Sequence, residues 1–254
     1  MKKILVTGGN GFLGSYVVEE LLKDQNNDIT ILSNSGRKRK RHDINFIDGD
    51  IRDEDALLTM VKGFDTVYHI AGNIRTSKTD IPQLYHSINA IGTNNLLKVC
   101  IKNNVKRFIF ISTCEVYGDI HKEHIGEDEK IKPENDYARS KAQAEDYCRE
   151  YAKSKKMKVT IIRPSYIYGY GQSSERLFPR LIASALEKGG KSKDNKKSRL
   201  SSDSSGYDFV YVKDAARGIV LLGQNGQEKY LEVYNISSGK FATMSVSAPS
   251  SFCA

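Results

Sequence analysis

Short apolar runs alternate with longer amphipathic segments over most of the chain. Runs of strand length fall at residues 3–7, 28–33, 45–48, 66–70, 107–112 and 159–163. Segments with helical spacing lie between them. Over residues 12–23, Leu13, Val17, Leu21 and Leu22 share one face, and over residues 88–100, Ile88, Ile91, Leu96 and Val99 do the same. Continuous apolar strands separated by amphipathic helices predict a parallel sheet covered on both faces, an α/β doubly wound fold of Rossmann type.

The pattern loosens after Arg163-Pro164. Residues 177–186 have helical spacing, and residues 189–206 are rich in Lys, Ser, Asp and Asn. "YDFVYVKDAARGIVLL" predicts a strand followed by a helix, and "YLEVYNIS" predicts one more strand. The expected organisation is a first domain of residues 1–163, to which 207–224 return. Residues 164–206 and 225–254 are expected to form a small lobe, with 190–206 as a flexible insert. The tail "FATMSVSAPSSFCA" has no periodicity and suggests a truncated or altered end to that lobe.

The net charge of +8 is concentrated in two places, residues 37–41 and the stretch "KGGKSKDNKKSR". Neither run is interleaved with aromatics, so nucleic-acid binding is not expected. No apolar run reaches the ~20 residues that cross a bilayer, and "MKKILVTGG" is too short for a signal-peptide core. The four cysteines are scattered without a CxxC pair, which fits reduced thiols in a cytoplasmic protein and no metal site.

"ILVTGGNGFLGS" sets Gly8, Gly11 and Gly14 between a strand and an amphipathic helix. Glycines here allow a tight turn and let backbone N–H groups approach a pyrophosphate, while the helix N-terminus adds partial positive charge. A ribose-binding acid is expected about twenty residues further on, and that position holds Ser33. Serine removes the repulsion a carboxylate would exert on a 2′-phosphate, and Arg37 could donate to one. The cofactor expected is therefore NAD(P), leaning to NADP. "DGDIRD" sets Asp50 and Ile51 after the third strand, where an adenine edge can be contacted, with Asp53 as a helix N-cap.

Tyr137 and Lys141 in "YARSK" are four apart and share one helix face. Together with "TGGNGFLG", "VYHIAG", "NAIGTNNLL", "FIFISTCEVYG", "RPSYIYG" and "DFVYVKDAA", this resembles the extended short-chain dehydrogenase/reductases, the NAD(P)-dependent epimerase/dehydratase group. The resemblance implies that Tyr137 exchanges a proton with a substrate hydroxyl or ketone. Lys141 would lower the tyrosine pKa, and Thr113 would hydrogen-bond the same substrate oxygen. It implies that Phe12, Leu13, Ala71, Gly72, Asn89, Ser112 and Pro164 line the cofactor site or brace it. The hydride moves between the nicotinamide and the carbon bearing that oxygen.

Within the group the residues divide. Glu115 in "STCEVYG" resembles the base of nucleotide-sugar dehydratases and decarboxylases, but Cys114 stands where the commonest dehydratases carry an acid. Tyr166 replaces an asparagine usual in sugar-nucleotide enzymes, and Tyr207 replaces an arginine that grips the substrate diphosphate. "KGFDTVYHIAG" and "RLFPRLI" resemble ketone reductases instead. The expected activity is oxidoreduction of a secondary alcohol or ketone, foremost of a nucleotide sugar, with Glu115 and Tyr166 at the substrate. The alternatives are an NADPH-dependent ketone reductase and, in another class, a non-catalytic dinucleotide sensor or nucleic-acid-binding protein. The partners expected are a small-molecule substrate and a second copy in a homodimer, without a membrane.

Overall fold

A computed structural model describes residues 1–34, 44–74, 80–119, 122, 124–187, 206–225 and 229–243. Seven parallel strands form the main sheet in the order β3-β2-β1-β4-β5-β6-β9. They are β1 (Lys2–Thr7), β2 (Asn27–Ser33), β3 (Asn45–Asp48), β4 (Thr66–His69), β5 (Arg107–Ile111), β6 (Lys158–Pro164) and β9 (Leu231–Ile236). A second sheet orders β10 (Phe241–Thr243), β8 (Gly206–Tyr211) and β7 (Tyr166–Tyr168).

The period-two alternation of strand side chains divides the apolar residues into two cores. On β1, Leu5 enters one core while Ile4 and Val6 enter the other. On β5, Phe108 and Phe110 go one way and Ile109 and Ile111 the other. Helices α2 (Glu54–Met60), α4 (Gly92–Lys102) and α5 (Asp136–Lys153) close the first core, through Leu57, Leu96 and Cys148 among others. Helices α1 (Phe12–Leu21) and α7 (Val212–Gln224) close the second through Val17, Leu21 and Ile219. Continuous strands such as RFIFI in β5 are thus apolar because both faces are covered.

Three elements differ from the sequence expectation. Helix α1 stops at Leu21, where the Asn27 amide donates to the Leu21 carbonyl at 2.7 Å and closes the helix end. The helix expected over residues 88–100 starts earlier, as α3 (Pro82–Leu84), and continues through a π-helical segment, Tyr85–Ile91, before α4. Proline at the first helical turn explains the start. Strand β9 pairs parallel with β6 in the main sheet, whereas the sequence pattern places residues 225–254 in the lobe. The insert at 190–205, the tail from 244 onward, and Arg37 lie outside the described residues.

Strand order reverses beside β1, with β2 and β3 on one side and β4, β5 and β6 on the other. Such a switch point opens a crevice at the carboxyl ends of the strands. Helix α6 (Leu177–Glu187) and the second sheet follow from β6 and β7. Asp208 of β8 fastens that lobe: its carboxylate accepts from the Ser238 and Gly239 backbone N–H groups, both at 2.8 Å, and from the Ser165 hydroxyl at 3.2 Å.

Candidate active site

The glycine loop closes β1 against the end of β4. Gly8 has φ +73°, and a Cβ there would meet the Ala71 backbone nitrogen at 2.6 Å. At Gly14 a Cβ would meet the Gly8 carbonyl oxygen at 2.1 Å. Only glycine allows the loop to lie this close to β4 and to its own helix. Gly11 is the N-cap of α1, no side chain caps that end, and its first turn carries no acid. The first-turn amides, including those of Phe12 and Leu13, therefore keep their positive character for an anion.

Ser33 ends β2 beside Asp48 of β3. Asp50 follows, and its carboxylate receives the Arg52 guanidinium and the Asn34 amide. The Arg52 hydrogen bond is the main reason its pKa falls to about 2. Asp53 caps α2, accepting from the Ala56 N–H at 3.0 Å. Ile51 is buried, and a Cβ on Gly92 would meet its Cδ1 at 2.7 Å.

A buried hydrogen-bond chain joins the glycine loop to the π-helical segment. Thr7 Oγ1 lies 2.7 Å from His69 Nδ1, and His69 Nε2 lies 2.8 Å from Thr93 Oγ1. The Thr93 hydroxyl donates to the Asn89 carbonyl, so it must accept from His69 Nε2–H. Thr7 accepts from the Ala71 N–H and donates to the lone pair of Nδ1. The chain is satisfied by neutral histidine alone. Burial, with the nearby Lys141 charge, pushes the His69 pKa down to about 3. Asn89 then receives the Asn73 N–H at 2.7 Å and donates to the Asn73 carbonyl and to Ser140 Oγ. Ser140 lies on α5 between Tyr137 and Lys141.

Tyr137 and Lys141 project from α5, whose N-cap is Asn135. The Asn135 side-chain oxygen accepts from the Ala138 N–H at 2.8 Å, and its amide donates to Glu115 Oε2 at 2.9 Å. One side chain thus starts the helix and holds the glutamate. Thr113 caps the 3₁₀ turn Cys114–Tyr117 and is buried. Desolvation raises the pKa of the buried Tyr137 phenol, Glu115 and Cys114 nearby add to the rise, and the neighbouring Thr113 hydroxyl offsets only part of it. Lys141 is 4% exposed, with its ammonium 4.5 Å from the Phe110 ring centroid. Burial lowers its pKa to about 8. Burial likewise raises the Cys114 thiol to about 12, making it a poor acid.

Gly72 lets these groups meet: a Cβ there would be 3.1 Å from Asn89 Oδ1 and 3.7 Å from Lys141 Nζ. Ser112 follows β5 with a buried hydroxyl that has no hydrogen-bond partner among the described residues. Pro164 ends β6. An uncapped helix end, a close-packed glycine loop, an orphan hydroxyl and a buried lysine converge at the switch-point crevice. These residues fit a dinucleotide cofactor. Tyr166 lies on the second sheet, two residues past Pro164.

The NAD dependent epimerase/dehydratase family matches residues 4–237. The chain belongs to this family. It is 30% identical over 251 residues to the dTDP-D-glucose 4,6-dehydratase of Mus musculus, covering 93% of this chain and 68% of that protein. It is 29% identical over 247 residues to the low-salt glycan biosynthesis protein Agl12 of Haloferax volcanii, covering 93% and 77%. Among solved structures, the Streptomyces venezuelae dTDP-glucose 4,6-dehydratase DesIV, crystallised with NAD, superposes with a TM-score of 0.82 at 28% identity over 95% of this chain and 77% of that one. Like other members of the epimerase/dehydratase family, the chain is an enzyme that binds NAD(P). Among the described residues no helix is long and apolar enough to cross a membrane.

Several site residues carry no sequence signal of their own. Asn135 and Tyr85 sit in stretches with neither motif nor periodicity. His69 lies within "VYHIAG", but only the folded chain reveals its two threonine partners. The quoted motif alone could have flagged it.

Proposed function

We propose that the enzyme oxidises a secondary alcohol of a nucleotide sugar and then eliminates at the resulting ketone, with NAD(P) returning the hydride. The observation that carries this reading is the Glu115 carboxylate, held by Asn135 beside the Thr113–Tyr137 pair. A plain reductase or epimerase needs the tyrosine and lysine. A second base beside them serves proton abstraction next to a carbonyl.

Held by the glycine loop and the crevice beside Tyr137 and Lys141, NAD(P) would supply a hydride acceptor for the alcohol carbon and a hydride donor afterwards. Tyr137 takes the hydroxyl proton as the carbonyl forms, and Thr113 holds the same oxygen. Lys141, charged below pH about 8, favours the phenolate that this transfer requires. Glu115 removes the proton from the carbon next to the carbonyl, and the β-hydroxyl leaves as water, taking that proton from Glu115; return of the hydride to the far carbon of the resulting enone would be balanced by the proton that Tyr137 took, delivered to the near carbon.

The test is incubation with NAD and UDP-, dTDP- or GDP-sugars, read by mass spectrometry. Loss of water from the sugar supports the reading. An isomer of unchanged mass makes the enzyme an epimerase, and Glu115→Gln with full activity removes the elimination step. A second reading, an NADPH-dependent ketone reductase, is favoured by the absence of any cation in the sequences of β7 and β8. It predicts net NADPH consumption with simple carbonyl compounds.

The preference for NADP over NAD is a finer proposal and rests on Ser33, which ends β2 without a carboxylate. Ser33→Asp is expected to weaken NADPH binding at least about tenfold and to leave NADH binding intact. Equal losses for both would remove Ser33 from the ribose site.

A further inference from the structure

Five aromatic side chains share one face of the β7–β8 ribbon. Alternation along β8 puts Tyr207, Phe209 and Tyr211 on one face. Parallel pairing sets Tyr166 beside Phe209 and Tyr168 beside Tyr211. Phe178 of α6 covers the inner part, stacked on Tyr168 at 4.7 Å and edge-on to Phe209 at 4.9 Å. The outer part is Tyr166 and Tyr207, with ring centroids 4.2 Å apart. These two rings are 38% and 36% exposed. Contiguous exposed rings beside a reacting centre are a surface for a ligand rather than a piece of core.

The charges carried by these two strands narrow the ligand. The only charged residue on either strand is Asp208, and the Ser238, Gly239 and Ser165 groups occupy its carboxylate. Neither strand carries a cation that could grip a phosphate. What the two rings present is π-surface, which stacks on a planar ring irrespective of charge.

The surface is continuous with the candidate active site. Tyr166 follows Pro164 at the end of β6 by two positions. The Ser165 hydroxyl, between Pro164 and Tyr166, donates to Asp208 of β8, and the Tyr16 hydroxyl of α1 donates to the Tyr170 carbonyl two residues past Tyr168.

We infer that Tyr166 and Tyr207 are a specificity-determining platform on which the nucleobase of the substrate stacks, so that this end is held by ring contact instead of phosphate charge. The inference rests on the nucleotide-sugar reading for its choice of ring. It is tested by titrating the NAD-loaded enzyme with uridine and with UDP, at low and at high salt. Tyr166→Leu and Tyr207→Leu should each weaken both probes by the same factor, roughly tenfold, at either salt. Tyr207→Phe should bind like the wild type. Three results overturn the platform: no uridine binding by the wild type, unchanged affinity in both leucine variants, or a loss confined to UDP. The two readings fail separately. Uridine held by these rings without turnover of any nucleotide sugar overturns the reaction. Turnover with an unchanged KM in both leucine variants overturns the platform.

Discussion

The Tyr85 ring stands edge-on to the Tyr137 ring, with centroids 5.9 Å apart and planes at 67°. Tyr85 is 1% exposed, and its hydroxyl donates to Asp80 at 3.0 Å. It opens the π-helical segment, so one element supplies both the wall behind the candidate acid/base and, through Asn89, the brace on its helix.

Tyr85→Leu is therefore expected to lower kcat by about ten- to a hundredfold, because the phenol it supports shifts relative to the substrate. Tyr85→Phe keeps the ring and loses the hydroxyl with its bond to Asp80, and should stay within a few-fold of wild type. Steady-state kinetics on both variants check this. Equal damage in the two would assign the effect to the hydroxyl instead of the ring.

Lys141 gives a stability prediction opposite in sign to its effect on activity. Its pKa in the folded protein, about 8, lies below the 10.5 of an ordinary lysine, so folding penalises the charged form. That penalty is fully present below about pH 8 and is released as pH rises toward 10.5. Lys141→Met should abolish turnover yet stabilise the cofactor-free protein at pH 7, by on the order of 3 kcal/mol. Urea denaturation should show the gain shrinking between about pH 8 and about pH 10.

His69 predicts the acid limb. Its pKa in the folded protein is about 3 against 6.5 for an ordinary histidine, so the unfolded chain takes up a proton that the native state refuses. Stability from this group is intact above pH 6.5 and is lost as pH falls. The loss approaches about 1.4 kcal/mol per pH unit below that point. Between about pH 6.5 and about pH 5 most carboxylates are still ionised, so the slope there reports histidine. In His69→Gln that part of the slope should vanish.

The Arg163–Glu145 pair ties α5 to β6. It is bidentate at 2.9 and 2.6 Å, with both side chains at most 1% exposed. Tyr117 accepts from Arg163 at 2.8 Å and donates to Asn235 of β9 at 2.7 Å. Glu145→Gln leaves a buried guanidinium without its counter-charge and should cost about 3–5 kcal/mol. A loss of less than about 1 kcal/mol, read from the denaturation midpoint, would mean that water reaches the pair.

What can be read from the chain depends on whether a feature is local. The strands, the glycine loop and the Tyr137–Lys141 spacing are written in neighbouring residues, and those elements form within a residue or two of the expected bounds. The π-helical segment is not legible, because its extra residue per turn follows from packing Tyr85 and Asn89 against α5. The threonine–histidine chain is equally hidden: Thr7, His69 and Thr93 are far apart in sequence and meet only after β1 and β4 pair. The position of β9 escapes the sequence because an apolar strand says nothing of which sheet takes it.

Strand β9 also sets the order of events during synthesis. Its partner β6 leaves the ribosome first, then β7, β8 and α7, and only afterwards the residues that register Leu231 with Val159 and Asn235 with Arg163. Until then β6 is an open edge, a template for pairing with other chains. Such late, distant pairing slows folding and prolongs exposure. The nascent enzyme is thus most vulnerable to aggregation after its nucleotide-binding loop has been made and before β9 has docked.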